Sequence, residues 1–155
     1  METCCFTGHR SSPEQERAAL TERLRETLRG LIAQGVRHFA AGGALGFDTL
    51  AAQTVLSLKA EFPEVKLILV LPCRDQTRGW STANVATYEN ILLQADKVVW
   101  LAPRYYKGCM LARNRRLVEH ADVCVAYLNG SQGGTAYTVA QARQKGIPVI
   151  NLAEK

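Results

Sequence analysis

The sequence predicts an α/β protein: a single Rossmann-like, doubly wound domain over residues 1–155, with a mostly parallel six-stranded sheet and helices on both faces. Two observations support this prediction. Apolar, strand-like runs alternate with segments of helical periodicity along the whole chain. Three of the runs end in glycine-bearing turns that lead into helices. Such alternation is typical of parallel sheets with right-handed crossovers.

Local signals mark the first strand and the first helix. Thr3–Phe6 is a short apolar run. Ser12 is a good N-cap with Pro13 at the first helical position, so a helix is predicted from about Pro13 to Ala33, before Gly35. Its buried stripe consists of residues at helical spacing, namely Leu20, Leu24, Leu28, Leu31 and Ile32.

The same alternation continues through the rest of the chain. The later strands are apolar runs, predicted at Arg37–Ala41, Lys66–Leu71, Lys97–Leu101, Asp122–Leu128 and Pro148–Leu152. The later helices are predicted from about Phe47 to Ala60, after Asn84 to Ala95, from Met110 to His120 and from Thr135 to Lys145. The third strand is nearly all aliphatic, as in sheets covered on both faces.

Composition narrows the class of protein. The chain is 47% hydrophobic and 21% charged, ordinary values for a globular protein. It has no apolar stretch of the ~18 residues that span a bilayer and no signal-peptide pattern, so we expect a cytoplasmic protein without membrane association. The five cysteines form no C-x-x-C pair and are expected to be reduced structural thiols. Metal-ligand spacing is absent, so no metal or other cofactor is expected.

Three glycine turns are the main functional signal. They are Thr7-Gly8-His9-Arg10, Gly42-Gly43-Ala44-Leu45-Gly46-Phe47-Asp48 and Gly133-Gly134-Thr135. Glycine permits close approach to the backbone, and a helix start presents unpaired N–H groups and the positive end of its dipole. Because all three turns follow strands of one parallel sheet, they are predicted to share one edge. That edge suits an anionic, phosphate-bearing ligand.

Each polar residue of these turns has two interpretations. Arg10 either clasps a phosphate bidentately or forms a salt bridge at the sheet edge. Asp48 is either a ribose acceptor or a negative charge at a helix start. Thr135 adds a hydroxyl to a phosphate cradle, or belongs to a plain turn before a helix.

Further candidates lie in the loops and at a later helix start. Arg113 is predicted near the same strand edge, and Asn114 is a hydrogen-bonding group for a base, a ribose or loop backbone. In the loop after the third strand, Gln76 is placed to read a base edge, and Trp80 either stacks on a base or anchors the loop. The dinucleotide fingerprint and the P-loop are both absent, which disfavours ordinary nicotinamide dehydrogenases and P-loop NTPases.

In order and spacing, these motifs resemble the YpsA-like family of the SLOG superfamily, which also includes LOG-type phosphoribohydrolases and the DNA processing protein A family. The likeness covers Cys5 to about Ile150. It is carried by Thr7–Arg10, Gly42–Asp48, Gln76 with Trp80, Arg113-Asn114 and Gly133–Thr135. The resemblance implies a Rossmann-like domain with a nucleotide-type ligand pocket at the strand edge.

The chain departs from the LOG enzymes at their catalytic motif, Pro-Gly-Gly-x-Gly-Thr-x-x-Glu. Thr138 stands where the glutamate would be, and Gly130-Ser131-Gln132 replaces Pro-Gly-Gly. Arg113 matches the arginine that precedes the motif. Phosphate recognition is thus separable from hydrolysis, because a hydroxyl is no carboxylate base near neutral pH. Glu89 and Asp48 are the substitutes to consider, and the sequence identifies no catalytic residue.

These observations favour a module that binds a nucleotide or a nucleotide-derived phosphorylated metabolite, as a sensor or regulator. The alternatives are an N-glycosidase acting on a nucleoside 5′-monophosphate, and a single-stranded nucleic-acid or protein-interaction module. Nucleic acid is not the expected partner, because a dense basic stripe with interleaved aromatics is missing and no appended DNA-binding module is expected. LOG relatives form dimers, so a homo-oligomer or a protein partner stays open.

Overall fold

The computed structural model describes residues 1–153, in which six strands alternate with five α-helices. The strands are β1 Thr3–Gly8, β2 His38–Ala41, β3 Lys66–Leu71, β4 Lys97–Trp100, β5 Val123–Tyr127 and β6 Val149–Asn151. The helices are α1 Arg17–Ala33, α2 Phe47–Leu58, α3 Thr82–Gln94, α4 Cys109–Glu119 and α5 Gly134–Lys145. A 3₁₀ turn at Glu14–Glu16 precedes α1.

The strands form one sheet in the order β4-β3-β2-β1-β5-β6, and every neighbouring pair is parallel. The strand order reverses between β1 and β5, where Gly8 pairs with Tyr127 at the carboxyl ends. The predicted fold class, a Rossmann-like doubly wound sheet, is therefore confirmed. In such sheets ligands bind beyond the strand carboxyl ends, near the point of reversal.

Two helical layers cover the sheet. Helices α1, α2 and α3 pack on the first face, and α4 and α5 pack on the second. Alternation along β1 serves both layers: Cys4 and Phe6 enter the core under α1 and α2, whereas Cys5 enters the core under α4 and α5. The predicted stripe of α1, from Leu20 to Ile32, is buried in the first of these cores.

Two helix starts differ from the sequence prediction. The chain at Pro13 is extended, with ψ 132°, and Ser12 does not cap a helix there; α1 begins only at Arg17, after the 3₁₀ turn. Helix α3 begins at Thr82, earlier than predicted, because Ser81 is its N-cap and accepts a hydrogen bond from the Asn84 N–H at 3.1 Å. The other boundaries agree within one or two residues.

The buried thiols bear out the structural interpretation of the cysteines. All five are free and buried: Cys4, Cys5, Cys73, Cys109 and Cys124. Cys5 and Cys124 face each other across the β1–β5 pair. Across residues 1–153, none of the helices has the length and apolar character needed to cross a membrane.

Candidate functional site

The first glycine turn is fixed by contacts on both sides. A Cβ at Gly8 would overlap the ring of Phe47, the first residue of α2. The Phe47 N–H donates to the His9 carbonyl at 3.1 Å, and the His9 N–H donates to the Tyr127 carbonyl at 3.3 Å. Gly8 therefore serves close packing of helix on strand.

The His9 side chain bridges the reversal point of the sheet. Its Nε2 accepts the Asn129 N–H at 2.8 Å, and its ring lies edge-on to Tyr127 at 6.0 Å. Thr7, two residues earlier in β1, is buried. His9 thus ties the turn after β1 to the loop after β5, which fixes the direction in which Arg10 leaves the sheet.

The second glycine turn holds a buried arginine. Arg113 is only 4% exposed, and its Nη1 donates to the Gly42 carbonyl. Its Nε donates to Asn114 Oδ1 at 2.7 Å. A Cβ at Gly42 would overlap the guanidinium, so this position requires glycine. The Nδ2 of Asn114 lies 4.0 Å from the Cβ position of Gly134, which brings the third turn beside the second.

Asp48 is buried in the first turn of α2. Its Oδ2 accepts the Ala44 N–H at 3.2 Å, so the carboxyl group closes the glycine loop onto the helix. Burial raises the pKa of Asp48, and the nearby Arg113 guanidinium and the Ala44 N–H partly oppose that rise. Burial likewise lowers the pKa of Arg113, with Asp48 opposing. The two groups form one buried, electrostatically coupled unit beneath the strand edge.

A pocket of about 350 Å³ lies above this unit. It brings together residues from the turn after β1, the two loops that follow β3 and β4, and the start of α4: Arg10, Asp75, Gln76, Arg78, Trp80, Tyr105 and Met110. We call it the edge pocket. Three predicted site residues, Arg10, Gln76 and Trp80, line it together.

Two side chains of the edge pocket, Gln76 and Trp80, are positioned by contacts with residues outside the pocket. The Nε2 of Gln76 donates to the Gly42 carbonyl at 3.5 Å, while its buried Oε1 has no hydrogen-bond partner. Trp80 is half-buried and packs edge-on against Tyr88, with ring centroids 5.5 Å apart. The indole of Trp80 therefore anchors its loop and also forms part of the pocket wall.

The acidic member of the pocket wall orders its loops. Asp75 Oδ1 accepts the Tyr105 N–H at 2.7 Å, joining the loop after β3 to the loop after β4. Although desolvation raises the pKa of Asp75, hydrogen bonds from the Cys73 thiol and the Tyr105 N–H hold it below its ordinary value. Burial raises the pKa of Cys73 to about 11, so this thiol stays protonated.

A second pocket, of about 330 Å³, lies on the other side of Arg10. It opens between the starts of α1 and α2, with Leu20 and Phe47 on its apolar side and Arg17 and Thr49 on its polar side. Arg10 lines both pockets. The Arg10 backbone lies against Gly46, where a Cβ would overlap it.

The third glycine turn lies on the same edge but outside the edge pocket. Gly133 and Gly134 are exposed, and no side chain caps the start of α5. Thr135 is buried. Thr138, at the position of the LOG glutamate, is fully buried, and its hydroxyl donates to the Gly134 carbonyl at 2.8 Å.

Sequence reasoning missed part of the edge pocket. Asp75 and Arg78 lie in the same loop as Gln76 and Trp80, so their position in the chain was the available signal. Met110 comes from the first turn of α4 and reaches the pocket only through the fold. Among residues 1–153, no three His, Cys, Asp or Glu side chains are grouped to hold a metal ion.

The fold and this edge define a Rossmann-like α/β protein with a pocket beyond the carboxyl ends of a parallel sheet. The model of the YpsA SLOG family matches residues 4–148, and the chain belongs to that family. The UPF0398 protein of Bacillus thuringiensis (strain Al Hakam) is 32% identical over 126 residues, which cover 79% of this chain and 68% of that protein. A UPF0398 protein of Bacillus cereus (strain AH187) matches equally well.

Solved structures show the same fold at low sequence identity. DNA processing protein A (DprA) from Streptococcus pneumoniae superposes with a TM-score of 0.68 at 18% identity, over 96% of this chain and 49% of that chain. The protein TM1055 superposes with a TM-score of 0.60 at 18% identity, over 99% of this chain and 79% of that chain.

A second DprA, from Helicobacter pylori, gives a TM-score of 0.66 at 21% identity, over 96% of this chain and 63% of that chain. That structure is described as showing the single-stranded DNA binding mode of the H. pylori protein. This chain therefore spans about half to two thirds of the two DprA chains.

Proposed function

We propose that this protein binds a nucleotide or a nucleotide-derived phosphorylated metabolite in the edge pocket, as a sensor or regulatory module. The observation that carries the proposal is the composition of that pocket: two arginines, Arg10 and Arg78, share a space of about 350 Å³ with Trp80 and Tyr105. Small-molecule sites typically have volumes of roughly 300–1,000 Å³. Cations beside aromatic rings suit a ligand with a phosphate and a flat base.

Each end of the ligand has matching groups. The guanidinium group of Arg10 offers forked N–H donors for phosphate oxygens, and the exposed Arg78, whose Nη1 lies 3.9 Å from Asp75 Oδ2, adds further donors. Trp80 and Tyr105 offer ring faces for stacking. The Gln76 amide also lines the pocket, with Nε2 directed at the Gly42 carbonyl. In this proposal Gln76 contacts the base edge.

The predicted residues below the pocket take supporting roles. Arg113 fixes the Gly42 carbonyl, which in turn receives Gln76 Nε2, so Arg113 positions the base-reading amide. Asp48 closes the same glycine loop through Ala44. The exposed, uncapped start of α5 at Gly133-Gly134, with Asn114 beside it, offers N–H donors to a further phosphate on a longer ligand.

Isothermal titration of the full chain tests this proposal, using nucleoside monophosphates, ADP-ribose and dinucleotides as probes. At least one probe is expected to bind, and Arg10→Ala and Trp80→Ala are each expected to weaken it by about tenfold or more. Arg143→Ala, an exposed arginine on α5, is the matched control and should leave affinity unchanged. Absence of binding by every probe, or equal loss in the control, refutes the proposal.

A second candidate function, binding of single-stranded nucleic acid, rests on the surface beside the edge pocket. Tyr105 and Tyr106 are 58% and 49% exposed, and Arg104 and Lys107 flank them. Arg74, from the neighbouring loop, lies 4.9 Å over the Trp100 ring. This basic and aromatic surface, together with the DprA likeness, argues against setting nucleic acid aside on composition alone.

A mobility-shift titration with an oligothymidylate separates the two candidates. Strand binding predicts a complex that weakens steeply with salt, and that Arg104→Glu with Lys107→Glu abolishes. Mononucleotide binding predicts that this double variant keeps its small ligand. No retarded complex at low salt would eliminate the second candidate.

A further inference from the structure

The second face of the sheet is incompletely covered by this chain. Helix α4 packs mainly on β1 and β3, and α5 on β1, β5 and β6, so β4 receives its main helical cover on the first face only. Val98, Val99 and Trp100 of β4 are all half-buried: Val98 and Trp100 pack against the first core, and Val99 faces the opposite side. Ile68 of β3 is half-buried on that same face.

A groove of about 310 Å³ marks this uncovered strip, between the α4 flank and the sheet edge. Its floor is mostly aliphatic, with Thr3 of β1 beside side chains from β2, β3, β4 and α4: Ala40, Ile68, Val70, Val99 and Leu117. In a doubly wound sheet, such a strip is normally the seat of a helix. The first face carries three helices and the second carries two among residues 1–153.

The groove has one sign of charge. Lys97 and Arg116 are exposed at its rim, and His38 and His120 line it as well. Among residues 1–153 no carboxylate lines the groove itself, and the nearby Asp122 Oδ2 is engaged by the N–H of the lining residue Thr3 at 3.0 Å. A partner that covers the aliphatic floor must therefore bring negative charge to the rim, since like charges brought together at an interface are costly.

We propose that this groove docks an acidic amphipathic helix of a partner protein, with its apolar stripe on β3 and β4 and its carboxylates on Lys97 and Arg116. Charge complementarity selects this occupant over a second copy of the chain. In a two-fold dimer the same face meets itself, so the basic rims would come together. The groove lies on the opposite side of the sheet from α1–α3 and shares no lining residue with the edge pocket.

Fluorescence anisotropy with the full chain tests the proposal. The probe is a labelled helical peptide of about 18 residues, with leucines at i, i+3, i+4 and i+7 and glutamates on the flanks of that stripe. The comparison peptides are a scrambled sequence of the same composition and a version with lysine in place of every glutamate. The acidic helix is expected to bind roughly tenfold tighter than the scrambled peptide, and more weakly as salt rises.

Variants locate the binding to the groove. Arg116→Glu and Lys97→Glu are each expected to weaken the acidic peptide by roughly fivefold or more. Val99→Asp should weaken it as well, because it places a charge on the apolar floor. Arg115→Glu, the next residue on α4 and exposed in a different groove, is the matched control. Urea midpoints of all four variants check that each one is folded.

The proposal would be overturned by equal binding of the scrambled peptide, by equal loss in Arg115→Glu, or by preference for the lysine peptide. A stable dimer in sedimentation that Arg116→Glu dissociates would also overturn it, because the face would then be covered by a second copy. Nucleotide titration of Lys97→Glu should match the parent chain, which keeps this test independent of the edge pocket.

Discussion

At the residue scale, the carbonyl oxygen of Gly42 is the meeting point of the site. It accepts hydrogen bonds from Arg113 Nη1 and Gln76 Nε2, so one backbone group joins α4 to the loop after β3. A buried guanidinium needs such partners, because an unpaired charge in the interior is costly. The network explains how a buried arginine beneath the pocket can order a side chain in its wall.

Replacing Gly42 with alanine tests this arrangement. The added Cβ would overlap the Arg113 guanidinium, so Gly42→Ala should lower the free energy of unfolding by about 1–3 kcal/mol, as overpacking does. Urea unfolding measures the change. The matched control is Gly30→Ala in α1, where no atom lies within 4 Å of the new Cβ. That variant should stabilise by about 0.5–1 kcal/mol, and a loss as large as that of Gly42→Ala would contradict the explanation.

The residues of the site show what local sequence can reveal. Arg10, Gln76 and Trp80 were predicted because each follows a strand in a loop, and the fold brings them into one pocket. The packing of the Arg113 guanidinium against Gly42 could not be predicted, because the two residues are 71 positions apart in the chain. A glycine in a turn indicates that some group approaches the backbone closely. The sequence does not show whether that group is a ligand or a side chain of the same protein.

At the scale of elements, Asp96 connects three parts of the fold just before β4. Its two carboxylate oxygens accept hydrogen bonds from Lys59 Nζ, just after α2, at 2.6 and 2.8 Å. One of them also accepts a hydrogen bond from the Leu67 N–H of β3 at 2.8 Å. Although desolvation raises the pKa of Asp96, the hydrogen bonds from Lys59 and Leu67 hold it below its ordinary value. The ionised carboxylate therefore stabilises the folded chain.

The sign of this pKa shift gives a pH prediction. A group with a lowered folded pKa stabilises above its unfolded pKa, about 3.9, and that stability is lost as the pH falls through the folded value. Asp96→Asn should cost about 1–3 kcal/mol at pH 7, and the cost should shrink progressively as the pH falls below the unfolded pKa. Urea unfolding across this range measures both. Glu61→Gln, which removes an exposed pair with Arg29, should change stability by under about 1 kcal/mol across the same pH range.

Helix ends were the weakest part of the sequence prediction, and α3 shows why. Ser81 is a residue type favoured at helix N-caps. The loop that begins at Pro72 is long, however, and local propensity was equally consistent with a start of α3 after Asn84. The cap is settled by the Ser81 Oγ bond to the Asn84 N–H. At the start of α1 the error is the opposite one. Ser12 and Pro13 predict a helix start there, but the backbone at Pro13 is extended and the helix begins later.

Removing the α3 cap gives a second prediction for the elements. Ser81→Ala leaves the Asn84 N–H without its acceptor, so the free energy of unfolding should fall by about 1 kcal/mol. Ser81→Asn retains a side-chain acceptor and should keep most of that stability. An unchanged free energy of unfolding in Ser81→Ala would mean that the hydroxyl does not stabilise the helix as a cap.

At the scale of the whole molecule, strand order places the pocket. The sheet reverses between β1 and β5, but His9 and Asn129 bridge that crevice, and the edge pocket lies toward the β3 side of Arg10. The regular alternation in the sequence predicts a doubly wound parallel sheet with right-handed crossovers, whereas the strand order itself comes from the structure. The edge pocket lies away from the reversal point because of side-chain contacts between residues distant in the chain. The hydrophobic periodicity of the sequence does not reveal such contacts.

Ligand linkage provides a test of the intact molecule. A nucleotide that binds only the folded chain, at about 100 times its Kd, should stabilise the protein by roughly 2.7 kcal/mol and raise its Tm by about 5–10 °C. Because Arg10 lines the pockets on both of its sides, Arg10→Ala should lose most of that shift even with a longer ligand. Scanning calorimetry with the probe that binds in titration measures it. A full shift in Arg10→Ala would place the ligand elsewhere, since Arg10 is the one residue within 1–153 that lines both pockets.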